Sequence, residues 1–268
     1  MQYIGNSIII DGKIEPATDQ TPIGRDNEIY EVLRVENGCP LFLSDHIARW
    51  TSSLQSRNIP SPNWLNKLPE LIDWLVLCNG NRDCDMRIVS TDDGHTQCGF
   101  VETIYPTKER YRLGVDCSLL HAERSCPQSK IFHSQMRQQA HEQQTQQKAY
   151  ESLLVNTDGF ITEGSRSNVF FILPDNTLLT APDSAVLGGI VRKQILELCN
   201  VNNVNVKYSL LHTNELSEVV GAFLSSTPMR ILPIRSVSNV TFKAPHPVCQ
   251  KLMDAMQNKV NAYIADHK

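Results

Sequence analysis

The chain has no apolar run approaching the roughly 18 residues that a membrane-spanning helix needs. Its start, Met1-Gln2-Tyr3-Ile4-Gly5-Asn6, lacks the basic and apolar parts of a secretion signal. Positive charge is not in excess either: 25 Lys and Arg face 29 Asp and Glu, giving a formal net charge of −4. A nucleic-acid partner calls for a basic patch, so none is expected, and neither is a membrane. The eight cysteines, at 39, 78, 84, 98, 117, 126, 199 and 249, form no Cys-x-x-Cys pair. An even number is compatible with disulfides, but a chain of 268 residues without an export signal favours free thiols and a cytoplasmic location. The eight histidines show neither His-x-x-x-His nor His-Glu-x-x-His spacing, so no protein-bound metal is expected. No segment repeats at a fixed period.

What is present is enough apolar sequence, 41%, to fill a sizeable core, and a length that suggests two domains. In the first hundred residues, Ser7–Ile10 reads as a strand entering the turn Asp11-Gly12. Ile29–Val35 alternates apolar and polar residues up to the turn Asn37-Gly38, and Leu41–Leu43 reads as the returning strand. Ser44 or Asp45 is placed to cap a helix beginning near His46, and Asn66–Cys78 carries apolar residues at helical spacing. Met86–Ser90 and Gly99–Ile104 are further strands. Tyr105–Arg112 is polar, contains Pro106, and reads as a linker.

Beyond it, Val115–Leu120 is a strand. Ser134–Lys148 holds seven glutamines but also Met136 and Ala140, and reads as a solvated amphipathic helix. Tyr150–Asn156 is a strand, Thr157-Asp158-Gly159 a turn, and Gly189–Cys199 and Pro247–Ala265 are helices. Strands near Val204–Lys207 and Ala222–Ser225 fall between those two helices.

The most informative stretch is Gly159-Phe-Ile-Thr-Glu-Gly-Ser-Arg-Ser-Asn-Val-Phe-Phe-Ile172. It sets Glu163 at a strand end between two runs of strand formers, where a buried carboxylate needs a cationic partner. The Glu-Gly-Ser-Arg-Ser-Asn string resembles the signature of class IV (fold type IV) pyridoxal-phosphate enzymes. That family includes branched-chain aminotransferases, D-amino-acid transaminases and aminodeoxychorismate lyases. The resemblance runs from about residue 29 to 234.

The resemblance implies an α/β (α+β) protein of two domains. A small N-terminal α/β domain (1–108) would precede a larger C-terminal domain (109–268) with a mixed sheet or barrel. Pyridoxal 5′-phosphate would lie between them, in a homodimer whose second subunit lends a loop to the site. In the family the signature Glu, here Glu163, pairs with the pyridinium nitrogen. The residues alone do not choose between Lys130 and Lys148 as the lysine that links to the cofactor. The family interval of a little over thirty residues selects Lys130, which lies 33 residues before Glu163. Leu187-Gly188-Gly189-Ile190-Val191-Arg192 precedes a helix, a position suited to an anion. Its resemblance to the family loop implies that the amides of Ile190 and Val191 hold the phosphate and that Leu187 packs on the ring. Thr227, after Ser225-Ser226, would add a hydroxyl. His46-Ile47-Ala48-Arg49 resembles the helix whose arginine reaches the phosphate, a charge-assisted contact for Arg49.

Tyr30 matches a tyrosine that faces substrate in several relatives. The arginine that binds substrate carboxylate in D-amino-acid transaminases is replaced by Ser90-Thr91-Asp92, with Arg87 and Arg230 as candidate substitutes. Pro228 stands where many relatives carry another hydroxyl residue, and Pro lacks a backbone donor. The implied activity is an aminotransferase acting on an amino acid and a 2-oxo acid. The alternatives are an aminodeoxychorismate lyase releasing pyruvate and 4-aminobenzoate, and a cofactor-free relic serving as a binding or scaffold protein.

Overall fold

Residues 2–17 and 23–267 are described by the computed structural model. They fall into two units. One comprises Met1–Ile104, Ser129–Ser134 and Val260–Lys268, the other Tyr105–Gln128 and Gln135–Lys259. Lys130 therefore belongs with Arg49 in the first.

The first unit is a six-stranded antiparallel sheet carrying two helices. Its elements are β1 (Tyr3–Ile10), β2 (Lys13–Pro16), β3 (Ile29–Glu36), β4 (Cys39–Pro40), α1 (Leu43–Ser56), α2 (Leu68–Cys78), β5 (Asp85–Ser90) and β6 (Thr96–Val101). The strand order is β2-β1-β6-β5-β3-β4. The Asp11-Gly12 and Asn37-Gly38 turns form as expected, with Asp11 and Asn37 at φ 47° and 52°, a conformation these residue types accept. On α1, His46, Trp50, Ser53 and Leu54 are buried at helical spacing. Trp50 and Leu54 share a core with Leu68, Ile72 and Leu75 of α2 and with Ile29, Leu33 and Val35 of β3. The indole N–H of fully buried Trp50 donates to Ser90 Oγ at 3.1 Å. Truncating Trp50 to Ala would cost about 3–5 kcal/mol through the cavity it leaves.

Two local expectations fail here. The returning strand is only Cys39–Pro40, because Phe42 turns left-handed at φ 53° and starts α1 at Leu43. Ser44 and Asp45 then lie inside the first turn, and the Leu43 N–H donates to the Tyr263 hydroxyl at 3.3 Å instead of to a side-chain cap.

The segment carrying Lys130 runs antiparallel beside the start of β3. The Tyr30 N–H donates to Lys130 O at 3.0 Å, the Phe132 N–H to Glu28 O at 2.9 Å, and Ile29 bridges to Ile131. These bonds fix the lysine's backbone.

The second unit contains α3 (Lys108–Leu113), β7 (Val115–His121), all but the first residue of α4 (Ser134–Gln147), β8 (Glu151–Val155), β9 (Phe160–Gly164), β10 (Asn168–Ile172), β11 (Leu178–Thr180), α5 (Ile190–Val201), β12 (Val206–Tyr208), β13 (Leu211–His212), β14 (Gly221–Ser226), β15 (Arg230–Val237), β16 (Val240–Thr241) and the part of α6 (Pro247–Asp266) before Val260. Its ten strands form a mixed sheet along the path β12-β11-β10-β14-β15-β7-β8-β9-β13, with β16 on β15. Neighbours β11–β12, β15–β7 and β7–β8 are parallel. The glutamine-rich segment is a helix, burying Met136, Ala140 and Gln144 along one stripe.

The segment read as a linker contains a short helix instead. Thr107 Oγ1 accepts from the Arg110 N–H and caps α3, whose Lys-Glu-Arg residues favour helix. β15 escaped the sequence reading because Pro233 interrupts it, yet Pro233 sits in register opposite Phe223. Among the described residues no helix is long and apolar enough to cross a membrane, and no three His, Cys, Asp or Glu side chains cluster to hold a metal. None of the eight cysteines is in a disulfide.

Candidate active site

In the first unit the strand period puts Tyr30 and Glu31 of β3 on opposite faces. Glu31 points into the helix-covered core and is fully buried. Arg49 Nε donates to its Oε2 at 2.9 Å and Nη2 to its Oε1 at 2.5 Å, while His46 Nδ1 lies 3.1 Å from Oε1. Burial opposes the charged carboxylate, but Arg49 and His46 outweigh it and hold the Glu31 carboxyl well below the usual range. The His46 imidazole is pushed down by its burial. Glu31 opposes that shift, while Arg49 and Lys130 reinforce it. The sequence pattern read Glu31 as the polar partner in an alternating strand. It is a core anion, and the signal that could have revealed it is the pair of basic side chains one turn apart on α1.

On the opposite face Tyr30 meets Phe132 edge to face at 6.1 Å between ring centres. The Arg87 guanidinium, 2% exposed, lies 4.6 Å from the Tyr30 ring centre and 5.3 Å from that of Phe132. Lys130 Nζ is 4.7 Å from the Tyr30 ring centre. The Lys130 N–H donates to Ser53 Oγ of α1 at 3.2 Å. Tyr30, Arg87 and Lys130 are thus gathered around one ring, whereas Lys148, the rival lysine, is exposed beyond the end of α4.

In the second unit Glu163 is 2% exposed. Arg124 Nε donates to its Oε1 at 2.8 Å. Its Oε2 accepts from the Leu187 N–H at 3.2 Å and Asn168 Nδ2 at 3.4 Å. The cationic partner that Glu163 required is therefore supplied in part by Arg124, which the sequence reading missed. Its position, three residues past the end of β7, was the available signal. Arg124 Nη2 also donates to Ser165 O at 3.2 Å.

Asn168 ties three elements together. It pairs in register with Ser225 of β14, its Nδ2 donates to Leu187 O at 2.9 Å, and its Oδ1 lies 2.1 Å from where a Cβ on Gly189 would be. Glu163, the Leu187–Val191 loop and the end of β14 are thereby brought together. Gly189 begins α5 with no side-chain cap for the first amides, those of Ile190 and Val191. Ser225 Oγ and Ser226 Oγ are buried and have no hydrogen-bond partner among the described residues. Thr227 follows in the turn, which the Tyr111 hydroxyl anchors by donating to Met229 O at 3.0 Å. Arg230, at φ 52°, donates through Nη1 to Gln257 Oε1 at 2.8 Å.

Residues 28–237 match the class IV amino-transferase family. The chain belongs to that family. It is 27% identical over 252 residues to a D-alanine aminotransferase of Bacillus licheniformis, covering 87% of each chain. It is 23% identical over 230 residues to an aminodeoxychorismate lyase of Bacillus subtilis (strain 168), covering 80% of this chain and 78% of that one. Its fold matches that of a solved branched-chain amino acid aminotransferase from Escherichia coli at a TM-score of 0.84, with 17% identity, covering 96% of this chain and 95% of the other. A second solved branched-chain amino acid aminotransferase, with pyridoxamine 5′-phosphate, matches at a TM-score of 0.85 and 18% identity, covering 98% of this chain and 96% of the other. As a class IV aminotransferase family member the chain is an enzyme dependent on pyridoxal 5′-phosphate. Its residues fit that group. Orphaned buried hydroxyls beside uncapped helix amides suit a phosphate, and a buried carboxyl group suits a protonated ring nitrogen.

Proposed function

We propose that the chain is an aminotransferase moving an amino group between an amino acid and a 2-oxo acid. The observation that carries this reading is the gathering of Lys130 Nζ and the Arg87 guanidinium at 4.7 and 4.6 Å from one tyrosine ring centre. An amino acid and a 2-oxo acid share a carboxylate next to the reacting carbon. A cation in the same site that binds this carboxylate would therefore serve both half-reactions.

Pyridoxal phosphate, when bound, supplies the electron-withdrawing ring that lets a proton leave the substrate carbon bearing nitrogen. Lys130 would be the amine that holds the cofactor and the base that moves the substrate proton. Glu163 would pair with the ring nitrogen, with Arg124 fixing the carboxyl's orientation. The Ile190 and Val191 amides and the Ser225, Ser226 and Thr227 hydroxyls would hold the phosphate, with Arg49, itself held by Glu31, as the charged contact, and Leu187 would pack on the ring. Arg87 would receive substrate carboxylate with Tyr30 beside it, and Arg230 is the second candidate for that contact.

The likeness to the Bacillus subtilis lyase supports a second reading, elimination of pyruvate from aminodeoxychorismate. Product formation from an amino acid that requires an added 2-oxo acid supports transfer. Pyruvate released from aminodeoxychorismate with no acceptor present would favour elimination. Protein that stays colourless with pyridoxal phosphate would sink both. We further propose a homodimer, to be checked by light scattering on the active enzyme. A cytoplasmic location is supported by eight cysteines outside any disulfide.

A further inference from the structure

Glu151 is 1% exposed in a strand whose five residues are all buried, and the chemistry proposed above makes no use of it. Its Oε1 accepts from Ser165 Oγ at 2.6 Å, from Gln144 Nε2 of α4 at 3.2 Å and from the Ser152 N–H at 2.9 Å. Its Oε2 accepts from Ser167 Oγ at 3.0 Å. Both serines belong to the loop that joins Glu163 to Asn168. The loop is tight: the Gly164 N–H donates to Ser167 O at 2.7 Å, and a Cβ on Gly164 would lie 2.1 Å from Ser167 Oγ and 3.2 Å from Glu151 Cγ. The Ser165 N–H reaches back to Ser152 O at 2.9 Å, and Ser165 O receives Arg124 Nη2. One buried carboxyl thus grips the loop by both serine hydroxyls, and that loop presents Glu163 at one end and Asn168 at the other.

We propose that Glu151 is a positioning residue for the cofactor site, setting through Ser165 and Ser167 the place of Glu163 and Asn168. A buried acid with this many donors is satisfied only in one loop conformation, which is what orienting a catalytic group demands. The proposal rests on the pyridoxal-phosphate reading above.

The test uses the full chain with added pyridoxal phosphate in four forms: wild type, Glu151→Ala, Ser165→Ala/Ser167→Ala, and the triple variant. Cofactor dissociation constant, the pH titration of cofactor absorbance and melting temperature are measured for each. Expected for Glu151→Ala is a dissociation constant raised roughly tenfold, the scale at which supporting residues act, together with a displaced absorbance titration. The double serine variant should reproduce both, and the triple variant should add little, because the groups act as one unit.

A Glu151→Ala protein that melts lower but keeps wild-type affinity and titration would overturn the proposal. So would effects of the acid and the serines that simply add. Should Glu151→Ala fail to fold, the serine variant, which leaves the carboxyl its bonds from Gln144 and Ser152, decides alone. Wild-type affinity and titration in it would then overturn the proposal. Wild-type protein that binds no pyridoxal phosphate would instead bring down the underlying reading, an outcome distinct from the others.

Discussion

Glu31 in β3 and Glu163 in β9 are both buried acids met by an arginine Nε, at 2.9 Å from Arg49 and 2.8 Å from Arg124. From that point they diverge. Arg49 grips Glu31 as a fork with Nε and Nη2, His46 adds a third contact, and the Val32 N–H donates to it at 2.8 Å. Arg124 reaches Glu163 through Nε while its Nη2 goes to a loop carbonyl, and the second Glu163 oxygen is met by longer bonds of 3.2 and 3.4 Å. A bidentate fork on a fully buried carboxylate commits that acid to structure. Glu163, held more loosely on one oxygen near the end of β9, fits the ligand-facing role proposed for it. The same residue pair is thus held in two different ways, as a fork on Glu31 and through one nitrogen on Glu163.

Replacing each acid with its amide should separate the two. Glu163→Gln should lower turnover by about 10³-fold, because a neutral amide cannot hold the ring-nitrogen proton. Glu31→Gln should lower it less than about tenfold, while both variants lose roughly 3–5 kcal/mol from the broken buried pair. Steady-state rates with urea melts measure both, and equal turnover losses would erase the distinction.

The Glu31 cluster should also set acid stability. His46 is held below its ordinary value of 6.5, so the unfolded chain takes a proton first and stability falls as pH drops below about 6.5. Glu31 is held below its ordinary 4.5, so its contribution is full above that value and declines as pH falls further. Urea midpoints measured from pH 8 to 3 should show this two-stage decline, with the lower stage missing in Glu31→Gln. A smaller effect is expected from Gly189→Ala, whose new methyl would displace Asn168 at a cost of about 1–3 kcal/mol. Cofactor affinity read by fluorescence should weaken. Unchanged affinity would mean that Asn168 does not couple the loop to Glu163.

Much of this architecture was legible because hydrophobic period and turn chemistry are local. The strand around Tyr30, the Asn37-Gly38 turn, the glutamine-rich helix and the strands flanking Glu163 all carry their signal within a few residues. What was not legible was non-local or contradicted by one residue. Pro233 hid β15, a left-handed Phe42 moved the start of α1, and Thr107 made a helix of an apparent linker. In the candidate site Lys130, Glu163 and the Gly188-Gly189 loop were nominated by the family resemblance and not by local chemistry. Arg124, Glu31 and Glu151 matter through partners that only folding brings to them, 39 residues apart for Arg124 and Glu163. An acid inside an apolar strand, as at Glu151, was a sequence signal with no partner to interpret it.

The central claim is that Lys130 is the amine that holds the cofactor. Loading the purified chain with pyridoxal phosphate, reducing it with borohydride and mapping the modified peptide by mass spectrometry tests this directly. The account predicts a stable phosphopyridoxyl group on Lys130, lost in Lys130→Ala and retained in Lys148→Ala. Modification at Lys148, or none at all, would contradict it.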